Sequence, residues 1–412
     1  MQPSTEPSLT RLLTALEREL PRAVELRHRL HAEPELAHAE HQTAASVAGE
    51  LPVAVVRVAE TGLAALVGGG AGAPVAVRAE LDGLPLQERT GASFSAHGTV
   101  MHACGHDVHM AALVALARAA STLAGWLPAP LLAVFQPSEE AYPSGAEQLA
   151  RGELHRFGVG AIVAAHVHPE LPWGSVALDP GVVNASCDAF EIVIEGEPSH
   201  GAYPHRGRDP ILALAEVIVA LHAQLARRID PLHPAVLTIG LLDGGTAENV
   251  IPASARARGA LRAYVPEDRA ALRRLVEEVV AGIAAASGCR GRVVLTSGEP
   301  ALENDPGVVA RARPMLVAAG LETAPEWRSC GSDDFAFLGG LAPLAMGFVG
   351  LDGAPGFTRR PLHHPELLPP DEAVGAVARA LAVLYLAAAG PAATIAPCPS
   401  ASTSPTPTRP TR

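Results

Sequence analysis

The sequence predicts an α/β fold in which a mostly parallel sheet is interrupted by a smaller, inserted α+β domain of the split βαβ kind. Three observations lead there. The chain has 412 residues, more than one hydrophobic core usually serves. In its first part, short apolar runs ending in polar, chemistry-bearing residues alternate with helical patterns, as buried parallel strands do when their C-terminal ends reach a site. Near Asn184 the texture changes to alternating polar and apolar residues, and it changes back after about Pro300.

Residues 9–30 carry Leu, Ala and Val at helical spacing and predict an amphipathic opening helix. Two β-rich runs follow at 52–58 and 63–67, then the turn GGGAGAP, whose glycines fit no dinucleotide fingerprint. PVAVRAELDG, PAPLLAVFQP and GAIVAAHVHP predict buried strands, with an Ala/Leu-rich helix at 108–123 between the first two. The run CDAFEIVIEGE reads as a half-solvated strand. After it come a helix at 210–228, strands AVLTIGLLDG and SARARGALRAYV, a helix at 266–286 and strand RVVLTSGE. That order is a split βαβ unit. Helical patterns at 305–320 and 371–389 complete the first domain. The expected division is therefore 9–183 and 300–389 for the large domain, 184–299 for the insert and 390–412 for a disordered Pro/Ser/Thr-rich tail.

Composition excludes several functions. The net charge is -12, from 31 basic and 43 acidic residues, which repels phosphate backbones and anionic membranes, so neither nucleic acid nor a membrane is an expected partner. All the basic residues are Arg; the chain has no Lys. Walker-type phosphate binding, Schiff-base chemistry and pyridoxal-phosphate catalysis each need a lysine amine. The five cysteines are scattered, which fits a reducing compartment rather than a disulfide framework. The acidic, interrupted N-terminus is no signal peptide, and no run approaches the ~20 apolar residues of a membrane span. A cytoplasmic protein is expected.

The densest chemistry lies in MHACGHDVHM, where Cys104 and His106 sit two apart, flanked by His102, Asp107 and His109. A thiolate and an imidazole this close can reach one cation, because Gly105 lets the backbone fold tightly. Glu139 and Glu140 follow a buried strand, where one carboxylate can bind a metal and the other move protons. His166 and His168 end another apolar run on one face of the strand. His363 and His364 stand in a late loop stiffened by Pro361 and Pro365. Any of these alone would pass for solvated or core residues; together they outnumber what one tetrahedral ion needs. A two-metal site with a bridging water is the stronger inference. Its mixed S, N and O donors suit Zn²⁺, Mn²⁺, Co²⁺ or Ni²⁺.

These residues sit in an ordered series: LRHRLHAEPELAHAEHQT, RAELDGLP, MHACGHDVHMAAL, FQPSEEAYPSGA, HVHP, SHGAYPHRGRDP, GGTAENVIP, SDDFAFL and LHHPEL. The series resembles the metal-dependent amidohydrolases of peptidase family M20, subfamily D, whose members hydrolyse N-acyl amino acids, hippurate and auxin conjugates. Only the first few residues and the tail fall outside it. The resemblance implies a metallopeptidase-like catalytic domain, a dimer formed through the inserted domain, and two divalent metal ions per subunit. It implies Cys104, His106, Glu140, His166 and His363 as ligands, with Cys104 in place of the bridging carboxylate of other branches. It further implies Glu139 as general acid/base, Asp82 as the carboxylate that orients a ligand, and His200 as the group reaching the scissile carbonyl, in some relatives from the partner subunit. Asn249 and Arg262 would contact substrate. Many relatives read RADMDALP where this chain has RAELDGLP, which alters packing but keeps Asp82.

The expected reaction is hydrolysis of the amide of an N-acyl amino acid, releasing the amino acid and a carboxylic acid. A dipeptidase or carboxypeptidase of the same family is the alternative. A serine hydrolase is excluded by the lack of a G-x-S-x-G elbow, and a redox role for Cys104 is disfavoured because no C-x-x-C pair exists.

Overall fold

The computed structural model describes residues 5–390 except residue 71. Cys398 and all of the predicted tail but Gly390 lie outside these described residues. The chain opens with helix α1 (Thr5–Ala32) and the short α2 (His41–Glu50), followed by strands β1 (Val56–Val58), β2 (Gly62–Val67) and β3 (Val75–Glu80). Helix α1 packs on two later helices of the core, His106–Ser121 and Glu372–Ala389. Helix α3 (His106–Ser121), strand β4 (Leu131–Gln136), the one-turn α4 (Gly145–Gln148), and strands β5 (Ala161–Pro172), β6 (Ser175–Ala177) and β7 (Gly181–Asn184) follow. The segment after Asn184 holds β8 (Ser186–Glu195), β9 (Ser199–His200), α5 (Pro210–Arg228), β10 (Ala235–Gly244), β11 (Val250–Ile251), β12 (Ser254–Ala263), α6 (Pro266–Ala286) and β13 (Arg290–Ser297). Strand β14 (Leu302–Asn304), α7 (Pro306–Ala318), β15 (Glu322–Thr323), β16 (Leu344–Asp352) and α8 (Glu372–Ala389) complete the described chain; β15 and β16 join the large sheet, while β14 pairs with β7 apart from it.

The large sheet has the order β1-β2-β4-β3-β5-β16-β6-β15. Its centre, β4-β3-β5-β16, is parallel throughout, and antiparallel pairs are confined to the flanks. Strands β3 and β4 are buried at every position, which is why they read as continuous apolar runs. The C-terminal ends of β3, β4 and β5 therefore point to one edge, where ligands of open α/β sheets gather.

The segment from β8 to β13 forms a four-stranded antiparallel sheet of order β10-β12-β8-β13. Helices α5 and α6 cover one face and share a core with it, built around Ile192, Leu214, Leu261 and Val276. This is the predicted split βαβ unit. Asp209 caps α5 through the amides of Ile211 and Leu212. Within the unit, β9 and β11 pair as a separate two-stranded element.

Among the described residues two helices, α5 and α8, are long and apolar enough to cross a membrane by length and composition, although polar residues interrupt both apolar runs. Helix α8 is packed into the main core, and α5 buries Ala213, Leu214, Val217 and Leu221 against the small sheet.

Candidate metal centre and substrate cavity

The donors converge because the ends of two strands, the middle of a third and one helix start meet. Strand β3 runs out into Asp82, β4 into Glu139 and Glu140, and β5 carries His166. Gly105 takes a left-handed φ of +86° just before α3, and an added Cβ there would lie 2.5 Å from Val167 Cγ2, so only glycine lets the turn close on β5. That turn sets Cys104 and His106 on either side of Gly105. His363 also has a left-handed φ, +64°, and its amide donates to Ala103 O at 2.8 Å, which fastens the late loop to the same turn.

Cys104 Sγ lies 3.4 Å from His166 Nε2. His106 Nδ1 donates to the Asp82 carbonyl at 2.8 Å, so its Nε2 is left buried without a hydrogen-bond partner, 3.9 Å from Glu139 Oε2. Asp82 Oδ2 accepts the Glu140 amide at 2.9 Å. Glu140 Oε1 lies 3.2 Å from His363 Nε2 but is also without a hydrogen bond. The ligand atoms of Cys104, His106 and His166 lie within 4.8 Å of one another, as do those of Cys104, Glu140 and His363. The two trios share the Cys104 sulfur.

The electrostatics favour a cation. Burial, then the charges of Glu140, Glu139 and Glu80, push the Cys104 thiol well above its ordinary range, so positive charge is what a thiolate there needs. Burial alone would lower His106, but Glu80 and Asp82 outweigh it and raise its pKa to about 10. Burial leaves His166 far below the ordinary histidine range, neutral as a ligand must be. Burial, then Asp333 and Glu140, push Glu139 well above the usual carboxylate range, in the direction general acid/base work requires.

A cavity of about 420 Å³ opens over the trios, lined by Cys104, Glu139, Glu140, His166 and His363 on one side and by Asn184, Arg262, Tyr142 and Trp327 elsewhere. Arg262 Nη1 donates to Cys330 O at 2.9 Å. Trp327 stands 4.7 Å from the His168 ring and 4.3 Å from Phe348, centroid to centroid, forming an aromatic wall. His168 thus belongs to that wall, and His364 caps the Glu366 amide; His166 and His363 are the members of each pair that face the other donors. His200 and Asn249 do not join them. His200 ends β9, opposite Val250; Asn249 immediately precedes β11, its carbonyl accepting the Gly201 amide; and neither lines the cavity.

Sequence reasoning missed the charged layer beneath the site. Arg78, fully buried in β3, bonds Glu80, Asp334 at 2.7 Å and Gln136 at 2.8 Å. Burial alone would lower its pKa, but Glu80, Asp333 and Asp334 raise it and keep it a cation. A charged residue inside an apolar strand was the available signal, since it demands a buried partner. Tyr142, whose hydroxyl donates to Glu299 across the cavity, carried no such signal.

Comparison with known proteins places this arrangement among relatives. The profile of peptidase family M20/M25/M40 matches residues 76–386. An N-acetyl-L-cysteine deacetylase of Bacillus subtilis strain 168 is 34% identical over 347 residues, covering 83% of this chain and 82% of that one. An N-acetyldiaminopimelate deacetylase of Bacillus licheniformis is 32% identical over 369 residues, covering 87% and 96%. Among solved structures, a dinuclear metal-binding peptidase of family M20 from Bacillus subtilis superposes with a TM-score of 0.78 at 29% identity, covering 90% of this chain and 98% of that one.

Proposed function

The chain belongs to peptidase family M20/M25/M40, and on that premise we propose that it hydrolyses the amide bond of N-acyl amino acids, with Glu139 as the proton carrier. The observation that carries this reading is the pair of donor trios sharing Cys104 at the floor of a cavity, with the Glu139 carboxyl beside them. The residues fit two divalent cations of the Zn²⁺, Mn²⁺, Co²⁺ or Ni²⁺ class: His106 Nε2 and Glu140 Oε1 are buried without hydrogen-bond partners, and a sulfur, imidazole and carboxylate set suits these ions. Cys104, His106 and His166 would hold one, and Cys104, Glu140 and His363 the other. When bound, such ions acidify water and polarise a carbonyl oxygen.

The protein's own groups do the rest. Asp82 accepts the Glu140 amide and lies 3.6 Å from His106 Nδ1, so it orients a ligand on each side. Glu139 takes a proton from the attacking water and later gives it to the departing amine, so water and amide become carboxylic acid and free amino acid. Arg262 on the opposite wall suits the amino acid's carboxylate. His200 and Asn249 stand outside their own cavity, as groups serving the cavity of a second copy would, and we assign them to the oxyanion and the substrate across a homodimer.

The test is amino-acid release from a panel of N-acyl amino acids and dipeptides, using chelator-stripped protein before and after metal is restored. Metal-dependent release from the acyl substrates supports the reading. Release from dipeptides alone makes the protein a dipeptidase, and silence across the panel refutes the substrate class.

A further inference from the structure

Resting on that reading of the metal centre, we propose that His109, which reaches neither donor trio's shared sulfur nor the cavity, is a positioning residue that sets the donor geometry of Cys104, His106 and His166 by gripping the backbone of Val167. His109 and Val167 are both fully buried. The Val167 amide donates to His109 Nε2 at 3.0 Å. An acceptor Nε2 puts the ring proton on Nδ1, which donates to Glu80 Oε2 at 2.8 Å, and Glu80 is in turn held by Arg78. The tautomer follows from these bonds: a backbone amide can only donate, and a carboxylate held by an arginine can only accept.

The same residue, Val167, is taken from its other side by the donor histidine. His166 Nδ1 donates to the Val167 carbonyl at 2.7 Å, which leaves Nε2 as the lone pair facing Cys104. The Val167 side chain fills the space beneath Gly105, where an added Cβ would meet Cγ2 at 2.5 Å. One residue therefore fixes the orientation of His166 through its carbonyl and the height of the Cys104–Gly105–His106 turn through its side chain. Its amide is held from helix α3 by His109, whose ring packs edge-on against His166 at 4.5 Å.

Glu80, His109 and His166 also lie within 4.8 Å of one another and invite comparison with a third cation site. Their nitrogens are already used: both on His109 make hydrogen bonds, and His166 has only the Nε2 that faces Cys104. The bridge positions; it does not ligate.

Three variants test this. His109→Gln keeps an acceptor where Nε2 stands, His109→Asn keeps only a donor near the Nδ1 position, and His109→Leu keeps neither. Metal content and competitive chelator titration read the ions, and hydrogen exchange of the Val167 amide in metal-free protein reads the grip without any ion. We expect two ions per chain in wild type and in every variant that folds. Affinity should fall about 10–100-fold in His109→Leu and His109→Asn, with Val167 protection lost, and His109→Gln should restore both. Wild-type affinity and protection in His109→Leu would overturn the proposal, as would three ions in wild type and two in the variant. If His109→Leu does not fold, His109→Asn set against His109→Gln decides: equal affinities in the two would reject the role. Should the wild-type chain bind no ion, the reading of the metal centre fails by itself, and the Val167 amide alone decides whether His109 holds it.

Discussion

The sulfur of Cys104 lies 3.4 Å from Nε2 of His166, joining the turn that opens one helix to the middle of a strand 62 residues later. Cys104 is common to both donor trios. Replacing it with Ala should therefore weaken both ions rather than one, and Cys104→Asp should recover two ions, because a carboxylate also bridges. Metal content after dialysis, measured for both variants, checks this: one ion retained in Cys104→Ala would contradict the shared position.

Glu139 is assigned proton transfer and no ion. Glu139→Gln should keep wild-type metal content and a KM within a few-fold while kcat falls about 10²–10⁴-fold, the usual worth of a positioned acid/base. Steady-state kinetics alongside metal analysis separate this from loss of the centre.

Arg262 faces the cavity with one nitrogen committed to the Cys330 carbonyl. If it clamps the substrate carboxylate, Arg262→Met should raise KM about 10–100-fold, the worth of a hydrogen bond to a charged group. The same change should have little effect on an analogue whose carboxylate is a carboxamide. Comparing KM for the two substrates in both proteins checks the assignment.

Arg78 is the buried cation among Glu80, Asp333 and Asp334. Arg78→Met leaves these carboxylates uncompensated and should cost about 3–5 kcal/mol, as broken buried ion pairs do. Denaturant unfolding of the variant reads that loss.

The small domain has its own titratable brace. Burial would raise Asp188, but hydrogen bonds from Arg269 and Arg273 outweigh it and hold its pKa below the ordinary value. A depressed carboxylate stabilises the fold above its unfolded pKa, and that stability disappears as pH falls through the folded value. Asp188→Asn should thus cost about 1–3 kcal/mol near pH 6, and the gap from wild type should narrow toward about pH 3. Unfolding free energies at several pH values test the sign.

Much of this architecture was legible in the sequence because its signals are local. Strands β3 and β4, and β5 as far as Val167, are buried on both faces and so read as apolar runs; Asp82 and Glu139 follow the first two within three residues, and His166 lies inside the third. Cys104 and His106 share one short turn. The Arg78 layer was not legible, since Arg78 meets Asp333 and Asp334 from 255 and 256 residues away; only the fold brings SDDF to β3. The aromatic wall of His168, Trp327 and Phe348 was hidden for the same reason, as Trp327 stands in a loop with no periodic pattern. The division of the histidine pairs needed the backbone: His363 faces Glu140 because its left-handed φ turns it there.

The most direct test of the central claim is a titration of chelator-stripped protein with Mn²⁺, Zn²⁺, Co²⁺ or Ni²⁺, following amino-acid release from an N-acyl amino acid at each addition. Two ions held by trios sharing Cys104 predict no release before metal, a rise that breaks at two equivalents, and no recovery in Cys104→Ala. Full release from the stripped protein, or full recovery in Cys104→Ala, would contradict it.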